Sequence, residues 1–409
     1  MNRQSSLPDY DRALATILRH VQPLGSRRVE LADAAGTILR RDVVADRDQP
    51  PFDRSTMDGF AVRSDEVRAG STFDVAGVIA AGAAIATFPP ERASVLRIAT
   101  GAAVPEGADA VVPIEQARVE EVGEHERVRF TADSVEAGAN IHGRGSDARA
   151  GSVVLEVGTR LGPNHLGVAA SMGATCLEVA QVPRVTLLTT GDEVRPPRTP
   201  TAALEPQQIR SSNGPMMAVF LEAIGVPLLH HEHLPDEPEQ TLAAAREAIG
   251  RSQLVLTVGG VSVGERDLLP WAWNRLTLEP VLHGVAIQPG KPLFVARDER
   301  KLVVGLPGNP VSVLATAHLF VWPIIRALLK QPADLPWRTV TLARAIRARS
   351  DRQVFRSARL GGDGRAEVIE WHGSGDLVHT ASADGLVRLP LIDGTVEAAA
   401  QVPFLAMVQ

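Results

Sequence analysis

Three short loops carry residues that could do chemistry: Thr189-Thr190-Gly191-Asp192-Glu193, the run from Gly259 and Gly260 through Ser262 and Gly264 to Asp267, and Gly305-Leu306-Pro307-Gly308-Asn309-Pro310-Val311-Ser312. Each joins glycine to small polar or acidic residues. Glycine-rich turns at helix starts expose backbone amides that bind anions, and carboxylates beside them could hold Mg²⁺ against a phosphate. Any one of the loops alone also reads as a turn with a helix N-cap. Two familiar patterns nearly match here. Gly260, Ser262 and Gly264 satisfy the GxSxG spacing of a hydrolase nucleophile elbow, with Asp267 and His283 following in triad order. However, Asp267 follows the serine within the same loop, where a triad acid comes from a later strand, and no separate oxyanion loop is evident. Gly290-Lys291 resembles the end of a P-loop, but Pro292 stands where Ser or Thr would hold Mg²⁺.

The elements that must position these loops follow from periodicity. Leu14, Ile17, Leu18 and Val21 recur at helical spacing after Pro8 and Asp9, and Pro23 ends that helix. From about Phe52 to Phe130 the pattern changes to short β-branched runs, 73–79, 95–99 and 111–114, separated by Gly and Pro, which reads as a small β domain. The glycines at 138, 143, 145 and 151 then lead back into a segment that could rejoin the first, making the β domain an insertion. From Val182 onward, strand, loop and helix alternate: strands at 185–190, 254–258 and 302–305, a helical stripe of Met217, Phe220, Leu221 and Ile224 closed by Gly225, and a helix over 311–329. This alternation predicts a parallel, doubly wound sheet with ligands at the carboxyl ends of its strands. After Pro332 and Pro336 short strands and turns suggest a further β domain.

Composition narrows the function. With 409 residues and 44% hydrophobic content the chain can build several cores. A net charge of −6 and no basic run leave no general field for nucleic acid. Cys176 is the only cysteine, so a CxxC zinc site, an intrachain disulfide and a protein-ligated iron–sulfur cluster are excluded. Any soft metal handled here must bring its sulfur ligands with it. The first residues show no basic stretch with an apolar core, and no run approaches 18 apolar residues, which predicts a cytoplasmic chain with no membrane partner. Lys occurs only at 291, 301 and 330 within a total of 42 Lys and Arg, which singles out Lys291.

At the level of motifs the chain resembles the molybdopterin molybdenumtransferase (MoeA-type) family, which includes the E domain of gephyrin. The segment Pro51-Phe52-Asp53-Arg54-Ser55-Thr56-Met57-Asp58-Gly59-Phe60-Ala61-Val62-Arg63 looks like the family's signature. In family order there follow Ile98-Ala99-Thr100-Gly101-Ala102, Gly143-Arg144-Gly145-Ser146-Asp147, the Thr-Gly-Asp-Glu loop, Gly-Gly-Val-Ser-Val-Gly, Pro289-Gly290-Lys291-Pro292 and Gly-Leu-Pro-Gly-Asn-Pro. The resemblance is weakest in the first forty residues and the last eighty. Gln288 and Gly284 stand where members often carry basic residues.

The resemblance implies a multidomain α/β plus β fold: an elongated N-terminal domain (1–45 and 145–181), an inserted β domain (46–144), a doubly wound α/β molybdopterin-binding domain (182–330) and a C-terminal β barrel (331–409). It implies a homodimer in which Asp58 and Thr100 act in trans. It implies a molybdenum insertase, which places molybdate into adenylylated molybdopterin with release of AMP. Catalysis would fall to Asp58, Thr100, Glu193 and Asp267, with Mg²⁺ on Glu193, Asp236 and Asp267. Substrate would meet Asp147, Gly191, Asp192, Asp236, Gly259, Gly260, Ser262, Gly264, Lys291, Pro307, Gly308, Asn309, Pro310, Ser312, Arg352 and Ser374. Asp236 also precedes Glu237-Pro238 at a helix start, where an acid commonly caps. Transient contacts with the molybdopterin adenylyltransferase and with apo-molybdoenzymes are implied as well. Two other readings compete: a pterin-binding scaffold without turnover, which the intact acids disfavour, and a nucleotide site like that of nicotinamide nucleotide amidases, which would not need Met57-Asp58-Gly59.

Overall fold

The computed structural model describes residues 7–123, 125–260 and 268–408. Ser262, Gly264 and Asp267 lie outside them. The chain divides into two compact units, one built from 28–35 and 39–177, the other from the remaining described residues.

The first unit is organised by nested pairings. Strand Val43–Val44 pairs antiparallel with Val153–Leu155, and inside it Arg54–Ser55 pairs with Ile141–His142. Between those inner strands lies a six-stranded sheet in the spatial order Ala110–Pro113, Gly59–Val62, Ser94–Ile98, Thr72–Ile79, His125–Phe130, Ala117–Val122. Phe60, Val62, Phe73, Val112, Val128 and Phe130 fill one side of it, while Ala61, Ile79, Leu96, Ile98 and Val111 fill the other. The alternation along Gly59–Val62 sends successive side chains to opposite faces, so this central strand is buried throughout. The expected runs at 73–79, 95–99 and 111–114 are all strands, displaced by a residue at most.

The second unit is centred on a sheet in the order Leu228–Leu234, Val185–Thr190, Leu254–Val258, Lys301–Leu306, Phe294–Asp298, Glu279–His283. The first four run parallel; Phe294–Asp298 is antiparallel to both its neighbours, Lys301–Leu306 and Glu279–His283, so the edge strand Glu279–His283 runs in the same direction as the first four. The sheet is therefore mixed, a correction to the all-parallel expectation: Phe294–Asp298 turns straight back into Lys301–Leu306, and so tight a connection admits only an antiparallel partner. Both faces are covered, as the apolar runs require. Leu187, Leu256, Val304 and Leu306 face a core shared with helix Asn213–Ala223 and the long helix beginning at Pro310; Leu188, Val255 and Val303 face helices Pro238–Arg251 and Leu268–Arg275. Chain order reverses between Val185–Thr190 and Leu254–Val258, which opens a crevice outside their carboxyl ends.

The expected helix over 311–329 is three consecutive segments. Pro310–Thr316 is α-helical, Ala317–Val321 is a π turn and Trp322–Leu328 is α-helical again. Pro323 explains the interruption. It lacks an N–H and would clash with the preceding turn of a regular α-helix, and the π turn changes hydrogen-bond register just before it. This stretch is long and apolar enough to cross a membrane, but 78% of its apolar window is buried inside the protein. The opening helix, Tyr10–Leu18, starts where expected, with Asp9 accepting from the Arg12 N–H at 2.9 Å. Its buried residues are Tyr10, Ala13 and Ile17, so the stripe is rotated slightly from the one expected. Tyr10 meets Phe320 and Phe355 edge-on at 5.4 and 5.3 Å. The C-terminal strands pair in the order Ile287–Gln288, Gln353–Leu360, Gly385–Arg388, Gln401–Ala406, Arg338–Thr341.

Candidate active site

Asp58 and Thr100, forty-two positions apart, meet. Gly59 pairs with Ile98 in the sheet, which brings the turn before one strand beside the turn after the other. The Asp58 carboxylate accepts from the Thr100 N–H at 2.7 Å and from its hydroxyl at 3.0 Å. These two bonds, the backbone one first, hold the Asp58 carboxyl below its usual range. Gly59 is obligatory for this turn: a Cβ there would lie 2.0 Å from the Val112 carbonyl oxygen. Asp147 belongs to the same unit but is engaged with His142, whose Nε2 lies 2.8 Å from Asp147 Oδ1 and 3.0 Å from Ser146 Oγ. The Gly143–Asp147 loop is fastened to the signature segment, with the Arg144 N–H donating to Asp53 at 2.6 Å.

The second unit gathers the described glycines and acids of the three loops, with Asp236, at the carboxyl ends of its four parallel strands. Gly191, Asp192 and Glu193 follow one strand, Asp236 another, Gly259 and Gly260 a third, and Pro307 to Pro310 the fourth. The Asp236 N–H donates to Asp192 Oδ1 at 3.2 Å. Burial first, then the charges of Asp192 and Glu193, push the Asp236 carboxyl above its usual range. Among the described residues no Lys or Arg forms an ion pair with any of these three acids. The glycines let backbones close in. Gly259 and Gly260 have φ of +88° and +63°, and a Cβ on Gly259 would sit 2.9 Å from Thr190 Oγ1.

The third loop opens into a cavity of about 550 Å³ walled by Lys291, Asn309, Ser312, Arg352 and Ser374, with Pro289, Pro292 and Pro307 as rigid edges. Residues from the α/β sheet and from the C-terminal strands therefore line one space. Asn309 Nδ2 donates to Ser374 Oγ at 2.7 Å, and the Val311 N–H donates to the Ser374 carbonyl at 3.0 Å, which fixes the serine in the wall. Arg352 is held by Asp351, Nη2 to Oδ2 at 2.6 Å, so part of its charge is already matched. Gln288, which stands where members of the resembled family often carry a basic residue, lines the cavity as a neutral residue.

Against known proteins, residues 9–173 match the family described as MoeA N-terminal region (domain I and II), and residues 186–327 match a probable molybdopterin binding domain. The chain belongs to the MoeA family. It is 36% identical over 369 residues to the molybdopterin molybdenumtransferase of Synechococcus elongatus, covering 88% of this chain and 89% of that one. It is 38% identical over 320 residues to that of Bacillus subtilis, covering 76% and 72%. A molybdopterin biosynthesis MoeA protein from Pyrococcus horikoshii superposes with a TM-score of 0.81 at 27% identity, over 98% of this chain and 99% of that one.

Within this MoeA-family chain, motif reading passed over two features of the strand-end rim. Asn213, at the start of helix Asn213–Ala223, donates to the Gly308 carbonyl at 2.8 Å while its Oδ1 is buried with no partner. A buried acceptor left unmatched is costly, and a bound donor would relieve it. The Ser-Ser-Asn-Gly run before a helical stripe was the available signal. The second feature is the histidine-bearing strand Leu228–Leu234, where His231 and His233 both bond to Thr189 Oγ1, at 3.1 and 3.0 Å, and His233 Nε2 reaches the Gly191 carbonyl at 3.1 Å.

Proposed function

We propose that this enzyme of molybdenum cofactor biosynthesis is a molybdenum insertase, placing molybdate into adenylylated molybdopterin and releasing AMP. The observation that carries the reading is the juxtaposition of two kinds of site. A cavity with two cations and two hydroxyls suits a tetrahedral oxyanion, and it adjoins a glycine- and acid-rich rim through Gly308, whose Cα region packs on Gly259. Molybdate fits the first, and a phosphoanhydride with its divalent cation fits the second.

The residues divide the work accordingly. Lys291, Arg352, Ser312 and Ser374 bind and orient molybdate before it meets the pterin. The Gly191, Gly259, Gly260 and Gly308 backbones approach the phosphates closely. Asp192, Glu193 and Asp236, three acids without a cationic side chain among the described residues, fit Mg²⁺, which would neutralise charge on the anhydride. Asp267 is assigned to the same group by resemblance. Molybdenum ends on the two sulfurs of the substrate's dithiolene, which accords with a chain that has one cysteine. Asp58 and Thr100 belong at the reacting end, contributed in trans within a homodimer. The same reading includes a cytoplasmic location, the C-terminal sheet as a β barrel, the four-domain division, and hand-over contacts with the adenylyltransferase and apo-molybdoenzymes.

The test is AMP release from adenylylated molybdopterin with and without molybdate and Mg²⁺. Release that depends on molybdate supports insertion. Release that ignores molybdate would make the chain a hydrolase of the anhydride, and tight pterin binding with no release would make it a scaffold.

A further inference from the structure

We propose that His372, Asp376 and His379 form a binding site for one divalent transition-metal ion of the zinc class. The three residues lie in the segment that follows Trp371, in His-x3-Asp-x2-His order. One potential ligand atom from each falls within 4.8 Å of the others. The carboxylate is fixed before any ion arrives. Asp376 caps helix Leu377–Thr380, accepting from the His372 N–H at 2.9 Å and from the His379 N–H at 3.3 Å. The two imidazoles then converge on it, His372 Nδ1 at 3.1 Å from Oδ2 and His379 Nδ1 at 2.8 Å from Oδ1, with the rings edge to face at 5.2 Å. An ion entering between these atoms would replace two side-chain hydrogen bonds with three coordinate bonds and leave the capping bonds in place.

The donor set decides which ion. Two imidazole nitrogens and one carboxylate oxygen suit Zn²⁺, Ni²⁺ or Cu²⁺, whereas Mg²⁺ and Ca²⁺ favour all-oxygen shells. Such a site keeps an open position for water. His372 and His379 are largely exposed, so an ion can enter from solvent. If the Mg²⁺ reading of Glu193, Asp236 and Asp267 holds, one chain would sort hard from borderline cations between two places. The site also has a structural consequence. Ser374 sits between the two histidines in sequence and is bonded to Asn309 and Val311, so a cross-link from 372 to 379 would fix the segment that presents Ser374 to the cavity. Ion binding itself does not depend on what that cavity holds.

The experiment uses the untagged full-length protein, stripped with a chelator and dialysed against buffered micromolar Zn²⁺. The expected result is one equivalent bound, at least tenfold weaker binding in His372→Ala and in His379→Ala, and none in the double variant. Asp376→Asn, which keeps a capping oxygen, should weaken binding similarly with an unchanged circular dichroism spectrum. Amide exchange across 371–380 should slow when Zn²⁺ binds. No retained Zn²⁺ in the parent, retention undiminished in the double variant, or displacement by a hundredfold excess of Mg²⁺ would each overturn the assignment.

Discussion

Thr100 offers Asp58 both a backbone and a hydroxyl donor, and only the hydroxyl can be removed without moving the chain. Thr100→Ala should lower the rate of AMP release about tenfold or more, the usual scale for a lost positioning bond to a reacting group. Thr100→Ser should restore it, and thermal unfolding should barely change in either variant. The acids at the strand-end rim separate by sign. Glu193→Gln should raise the Mg²⁺ concentration needed for half-maximal AMP release while leaving the unfolding midpoint almost unchanged. Asp236→Asn removes a carboxyl already disfavoured in its charged form by burial, Asp192 and Glu193, so its midpoint should hold or rise while the Mg²⁺ concentration needed for half-maximal AMP release also rises. A large fall in either midpoint would mark that acid as structural. Most of these residues were legible because each sits in a contiguous motif. That Lys291, Arg352 and Ser374 share one cavity was not, since their meeting is set by how the C-terminal strands pack. Asn213 escaped because a polar residue before a helix reads as an ordinary cap, and only its unpartnered oxygen sets it apart.

Among the elements, the strands at 185–190 and 254–258 were readable from β-branched and leucine-rich runs, and the 213–223 helix from its stripe closed by Gly225, whose φ is +83°. Leu228–Leu234 was not, because His230, His231, Glu232 and His233 occupy its middle without a break and only Leu234 is buried. The reversed strand Phe294–Asp298 was hidden because the turn at Glu299-Arg300 that joins it to Lys301–Leu306 lacks the Asn-Gly signature of a hairpin. The π turn defeats any reading that assumes a constant 3.6 period. It holds His318 with both ring nitrogens engaged, Nδ1 on the Leu314 carbonyl at 2.8 Å and Nε2 accepting from the Val408 N–H at 3.1 Å. Burial lowers this imidazole to about 4 from 6.5. A group whose folded pKa is depressed contributes stability that is complete above 6.5 and is lost as the pH falls towards 4, a difference of about 3 kcal/mol. Urea unfolding between pH 7.5 and 4.5 should show that decline, and His318→Phe should remove most of the His318 share of it. An equal slope in both proteins would assign the decline to other groups.

At the scale of the whole molecule, the proposed dimer makes a prediction that neither unit makes alone. Asp58→Asn and Glu193→Gln each impair one half of the residues assigned to catalysis, and the two halves would come from different subunits. Mixed in equal amounts under conditions where subunits demonstrably exchange, the pair should regain about a quarter of the parent's activity, because about half the dimers are then heterodimers and each holds one intact site of two. Exchange without recovery would place both halves in one subunit. The nested ladders of the first unit have a different consequence. Val43–Val44 lies against Val153–Leu155, and Arg54–Ser55 against Ile141–His142, so the chain enters and leaves the six-stranded sheet through adjacent doorways. A segment whose two ends are neighbours can be gained or lost in a single genetic event without rethreading what surrounds it. The sheet that carries Asp58 and Thr100 is thus heritable as a cassette, free to diverge or be exchanged at its own pace while the α/β sheet keeps its own history.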